Sequence, residues 1–150
     1  MFFDAYGDAK NPTLVLLHGA AALDTFAHQH DLLARRFHVL VPHLPGAGEA
    51  AEQAYDPQAT ADALAEWISS LAVGKVLVMG HSVGAELAVK LVSEHESLFS
   101  RAAFLSPWLC ASERSVNRFA KLARMSYSAI KNEKLLRMQA KYCTFTPQQT

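Results

Sequence analysis

Gly80, Ser82 and Gly84 form a Gly-x-Ser-x-Gly pattern that opens directly out of the apolar run Val76–Met79. A serine carried on a tight turn between a strand and a helix is presented as a nucleophile toward a carbonyl carbon. The free N–H groups at the start of the following helix offer partial positive charge to the oxyanion that such an attack creates. A serine held this way has a strained backbone, and a side chain two positions before or after it would crowd it. Gly80 and Gly84 are expected to remove that crowding. Downstream, Val83, Leu87, Leu91 and Val92 recur at helical spacing while Glu86, Lys90 and Glu94 take other faces, which predicts a helix reaching about Glu94. A glycine-rich turn with a solvated serine is the plainer alternative, but it does not require both a strand before the turn and a helix after it.

The turn needs a sheet to hold it. Val76–Met79 reads as a strand buried on both faces, and Thr13–Leu17, introduced by Asn11-Pro12 and closed by His18-Gly19-Ala20, reads as a second. Phe37–Val41 is a third strand and Ala102–Leu105, stopped by Ser106-Pro107, a fourth. Between the strands, Phe26, Leu32 and Leu33 suggest a helix starting near Asp24 or Thr25. Asp56-Pro57 supplies a helix cap, and Leu64, Trp67, Ile68 and Leu71 form the apolar stripe of a helix that ends before Gly74. The prolines and glycines of Pro42–Gly48 interrupt both kinds of ladder, so that segment is a loop. Alternating strands and helices give an α/β fold class with a mostly parallel sheet and flanking helices. Ligands of such sheets gather beyond the carboxyl ends of the strands. The Ser82 turn, His18-Gly19-Ala20, the Pro42–Gly48 loop and Ser106-Pro107-Trp108 all fall at that rim.

Composition narrows the class. A chain of 150 residues, 51% hydrophobic and 19% charged, buries a real core as one domain. The net charge of zero hides an uneven balance, because residues 113–150 carry 8 basic and 2 acidic side chains. There, Val116, Phe119, Ala123, Tyr127 and Ile130, then Leu135, Met138 and Tyr142, predict two amphipathic helices. Arg114, Arg118 and Lys121 share a helical face, yet no nucleic-acid-binding motif accompanies them, and a solvated charged face is the reading adopted. The amino terminus lacks a signal-peptide pattern and no run approaches a membrane span, so a cytoplasmic protein without membrane partners is expected. Cys110 and Cys143 are too few and too far apart for a disulfide framework or a metal pair, and two free thiols are expected. With no metal-spaced histidine cluster and no dinucleotide glycine fingerprint, neither a metal nor a cofactor is implied.

Taken in order, these motifs resemble the amino-terminal part of the α/β-hydrolase superfamily, in particular its small, cap-bearing esterase-like and carbon–carbon-hydrolase-like members. The resemblance covers roughly residues 2–108 as an incomplete hydrolase core, and residues 109–150 would form a helical cap or lid. It implies Ser82 as nucleophile, with the backbone N–H groups of Ala20 and Val83 as the oxyanion hole. It implies further that His18, Gly19, His81 and Trp108 border the space for an ester or similar carbonyl substrate. Where the family often has Asp-x-x-Gly-x-Gly, this chain has His43-Leu44-Pro45-Gly46-Ala47-Gly48, a departure expected to affect loop packing more than chemistry.

The acid and histidine of the family's triad follow the serine on later strands, and here those strands are missing. The only later histidine, His95, lies 13 residues on, roughly 20 Å along a helix axis, and cannot be the base. Glu113 reads as a helix-start residue instead of the triad acid. The chain is therefore expected to be a truncated hydrolase, weakly active or inactive as it stands. A non-catalytic small-molecule-binding or self-associating protein on the same scaffold is the alternative. Self-association is expected through the cap helices or through the exposed edge of the Ala102–Leu105 strand.

Overall fold

Five strands form one sheet in the computed structural model, which describes residues 1–20 and 22–107 together with the single residues Arg118 and Lys121. They are β1 (Phe3–Tyr6), β2 (Thr13–Leu17), β3 (His38–Pro42), β4 (Val76–His81) and β5 (Phe99–Leu105), in the spatial order β1-β3-β2-β4-β5. The β2–β3, β2–β4 and β4–β5 pairs are parallel, and β1 alone runs antiparallel, against β3. Strand β2 lies at the centre, and all five of its residues are buried. Such burial contributes about 1.5–3 kcal/mol for each large aliphatic side chain, so Leu14–Leu17 anchor the sheet.

The helices follow from local signals. Helix α1 (His30–Ala34) is short, α2 (Pro57–Ser70) links β3 to β4, and α3 (Val83–Glu94) links β4 to β5. Helix α2 begins where the sequence indicates: the Asp56 carboxylate accepts the Ala59 N–H at 2.7 Å, and Pro57 occupies the first turn. A cap of this kind contributes about 1 kcal/mol. The inward faces of α2 and α3 bury Leu64, Trp67, Ile68, Leu87 and Leu91 against Val15, Leu17, Val76 and Val78. On the other side of the sheet Leu14, Leu16, Val39 and Val41 gather around Phe26.

Four elements differ from the sequence reading. The helix expected from Asp24 or Thr25 is instead a 3-10 turn, Leu23–Phe26, followed by the separate α1. The Thr25 hydroxyl donates to the Ala22 carbonyl and so competes locally with helix formation. Strand β4 is not buried on both faces: Val76, Val78 and Gly80 are buried, whereas Leu77, Met79 and His81 are half-buried. Among the described residues, the face carrying Leu77 and Met79 packs against the smaller cluster around Phe26. Strand β1 has no counterpart in the sequence reading, because four residues of alternating exposed and half-buried character carry little apolar signal. Strand β5 forms one edge of the described sheet and starts at Phe99, three residues earlier than expected. The predicted cap helices lie outside the described residues, apart from Arg118 and Lys121, which are helical and exposed.

Candidate functional site

Strand β4 ends at His81 and α3 begins at Val83, leaving Ser82 alone in the turn with φ 55° and ψ −116°. A non-glycine residue in this region is strained by about 1–3 kcal/mol and persists only when its surroundings hold it. The hold is visible in the backbone: the Ser82 N–H donates to the Leu105 carbonyl of β5 at 3.0 Å. The Ser82 carbonyl accepts the N–H groups of Ala85 at 3.0 Å and Glu86 at 3.1 Å, closing the first turn of α3. Ser82 remains partly exposed.

The flanking glycines are needed for a reason other than crowding of the serine. A methyl group at Gly80 would strike the Gly84 carbonyl and come within 2.6 Å of the Ala85 nitrogen. At Gly84 it would strike the Leu17 carbonyl and approach the His18 carbonyl to 2.5 Å. The two glycines thus let the start of α3 press against β4 and against the end of β2. Ser82 is carried on that contact, and its own side chain is not the group relieved.

The loop leaving β2 passes beside the serine. A methyl group built on Gly19 would lie 3.8 Å from Ser82 Cβ and 3.3 Å from His81 Nδ1, so these three residues meet. The Gly19 carbonyl accepts from His18 Nδ1–H at 2.7 Å and from the Ala22 N–H at 3.2 Å. The Ala20 N–H belongs to the same trans peptide plane and therefore faces away from those two bonds. Among the described residues neither the Ala20 N–H nor the Val83 N–H has an acceptor.

His18 holds this loop and does not face ligand. Its side chain is 1% exposed. Nε2 accepts the Leu44 N–H at 3.1 Å while Nδ1–H donates to Gly19, so the ring is neutral and ties the loop after β2 to the loop after β3. Burial is the main cause of a pKa below the ordinary histidine value, with His43 adding to it and the bond to Gly19 opposing it. Its implied place at the substrate surface is therefore corrected: it shapes the loop from behind. His43, standing where the resembled family often has aspartate, does the loop work of a carboxylate. Its Nδ1 accepts the Glu49 N–H at 3.0 Å, and its Nε2 lies 3.3 Å from an Asp4 carboxylate oxygen, at ion-pair distance but outside hydrogen-bond geometry.

Among the described residues no side chain is hydrogen-bonded to the Ser82 hydroxyl. Both nitrogens of His18 are occupied. His81 is half-buried beside Gly19, with an unpartnered inward Nδ1, and His95 closes the far end of α3. Burial, and then the carboxylates of Glu86 and Asp56, push the Tyr55 hydroxyl up to about 12, so at neutral pH it is protonated and is no base. Trp108 and Glu113 lie outside the described residues. A cleft of about 650 Å³ floored by Trp67, Thr60 and Ala63 does not include Ser82. Asp62, Glu94 and His95 bring ligand atoms within 4.8 Å of one another, a grouping that sequence spacing did not reveal. Gln58 and Lys90 already donate to those two carboxylates. None of the helices described is long and apolar enough to cross a membrane.

Comparison with known proteins agrees with this fold. The sequence profile described as "Alpha/beta hydrolase family" matches residues 14–146. An uncharacterized protein of Mycobacterium tuberculosis is 30% identical over 100 residues, which are 65% of this chain and 29% of that protein. The magnesium-chelatase 30 kDa subunit of Rhodobacter capsulatus is 35% identical over 89 residues, 57% of this chain and 31% of that one. Among solved structures, a putative lipase from Acinetobacter baumannii superposes with a TM-score of 0.61 at 26% identity, covering 67% of this chain and 35% of its own. The chain thus spans about a third of the length of the proteins it matches.

Proposed function

Since the chain belongs to the alpha/beta hydrolase family, we propose that it carries the nucleophile half of a serine esterase active site, acting on an ester or similar carbonyl compound. The observation that carries this reading is the strained Ser82 between β4 and α3, with φ 55° and ψ −116°. Ser82 Oγ attacks the carbonyl carbon while the Ala20 and Val83 N–H groups receive the developing oxyanion, and Gly19 and His81 border the substrate. The serine proton has to pass to a base, and we assign that base and its acidic partner to positions outside the described residues. Without them the oxyanion hole and binding alone leave about 10³–10⁴ over the uncatalysed rate. The similarity to a lipase supports an ester substrate over other hydrolase chemistries.

Labelling with a fluorophosphonate, followed by peptide mass spectrometry, tests the assignment. Slow modification at Ser82, faster than at other serines of the chain and abolished in Ser82→Ala, is the expected result for a serine without its base. A folded sample that remains unlabelled would instead favour the second reading, a non-catalytic binder of small molecules. That no described side chain hydrogen-bonds the Ser82 hydroxyl is the observation that favours this second reading.

A further inference from the structure

We propose that Thr25 is the positioning residue of the oxyanion loop: its hydroxyl takes the Gly19 N–H out of play and fixes the peptide that leaves the Ala20 N–H free beside Ser82. The inference rests on the esterase reading for its catalytic consequence, though not for its geometry. Thr25 Oγ1 accepts the Gly19 N–H at 3.1 Å and donates its own proton to the Ala22 carbonyl at 2.5 Å. One half-buried hydroxyl therefore bridges the first and last turns of the segment between β2 and the 3-10 turn at Leu23–Phe26. It also stands in contact with Gly19 at the point where that residue faces the serine, since a methyl group there would lie 3.6 Å from Thr25 Oγ1 and 3.8 Å from Ser82 Cβ.

The two N–H groups at this corner have different fates, and the difference is what matters chemically. If the Gly19 N–H were free, it would compete with that of Ala20 for the same carbonyl oxygen, or the loop would turn to satisfy it elsewhere. With Gly19 N–H bound to Thr25, and Gly19 C=O bound to His18 and Ala22, rotation of the Gly19 backbone is opposed from both sides. The Ala20 N–H is then a donor already oriented before substrate arrives, which is the condition under which such a donor lowers a barrier. Threonine suits the task because one oxygen accepts and donates at once, and its β-branch restricts χ1.

The test compares the full chain with Thr25→Val, Thr25→Ala and Thr25→Ser. Amide hydrogen exchange and ¹⁵N–¹H spectra are recorded beside the rate of Ser82 modification by a fluorophosphonate. Valine and alanine are expected to speed exchange at Gly19 at least about tenfold, to move the Ala20 amide resonance, and to slow modification by about tenfold or more. Serine is expected to restore all three. Two substitutions of different size separate loss of the hydroxyl from a packing defect. Unchanged exchange at Gly19, or modification at the native rate in both hydroxyl-free variants, would overturn the proposal. A native chain that is not modified at all would count against the esterase reading alone, and exchange with the Ala20 resonance then decides the role of Thr25.

Discussion

At Gly84 the reason for a residue's identity is its neighbours' backbone. A methyl group there meets the Leu17 and His18 carbonyls, which are fixed by the central strand and cannot yield, whereas a methyl group at Gly74 meets nothing within 4 Å and suffers only from its φ of 76°. Gly84→Ala is therefore expected to lower stability by more than about 2 kcal/mol, and Gly74→Ala by about 1–2 kcal/mol. Urea midpoints of the two variants check this, and equal shifts would remove close approach as the cause. His18 makes a second residue-scale case. Its pKa is lowered in the fold, so the unfolded chain binds the proton more readily. The stability this contributes is fully present above about pH 6.5 and is lost as pH falls below that value toward the folded pKa. We expect urea midpoints to decline on acidification, and His18→Asn, less stable throughout, to decline less steeply over the same window. Parallel slopes would assign the effect to other groups.

Elements were legible where their signals are local and strong. Asp56-Pro57 with its apolar stripe gave α2, and the Val76 run followed by the glycines gave β4, Ser82 and α3, because propensity, capping and periodicity agree there. Strand β1 escaped because its place is set by pairing with β3, Phe3 with Pro42 through Tyr6 with Val39, a separation that no window around Phe3–Tyr6 contains. The turn at Leu23–Phe26 escaped because the decisive bonds run from Thr25 to Gly19 and Ala22, side chain to backbone, and leave no periodic trace. The same holds within the site. Ser82 and its glycines follow from a pattern, but the neutrality of His18 depends on Leu44, 26 residues on, and the acceptor role of His43 depends on the fold of its own loop.

For the molecule as a whole, the unsettled boundary is the edge at β5. Phe104 and Leu105 are 41% and 42% exposed, and among the described strands β5 has a partner on one side only. Such an edge recruits another strand. We expect static light scattering at tens of micromolar to report more than one chain per particle, with Phe104→Lys lowering that number; a clean native monomer would remove the idea. The prediction reaches the chemistry through one bond described above, from the Ser82 N–H to the Leu105 carbonyl. Ser82 is fastened to the outermost strand of the described sheet, so whatever steadies that strand steadies the serine. Modification of Ser82 would then not be first order in protein: reactivity per molecule would climb with concentration, and dilution alone would act as an inhibitor.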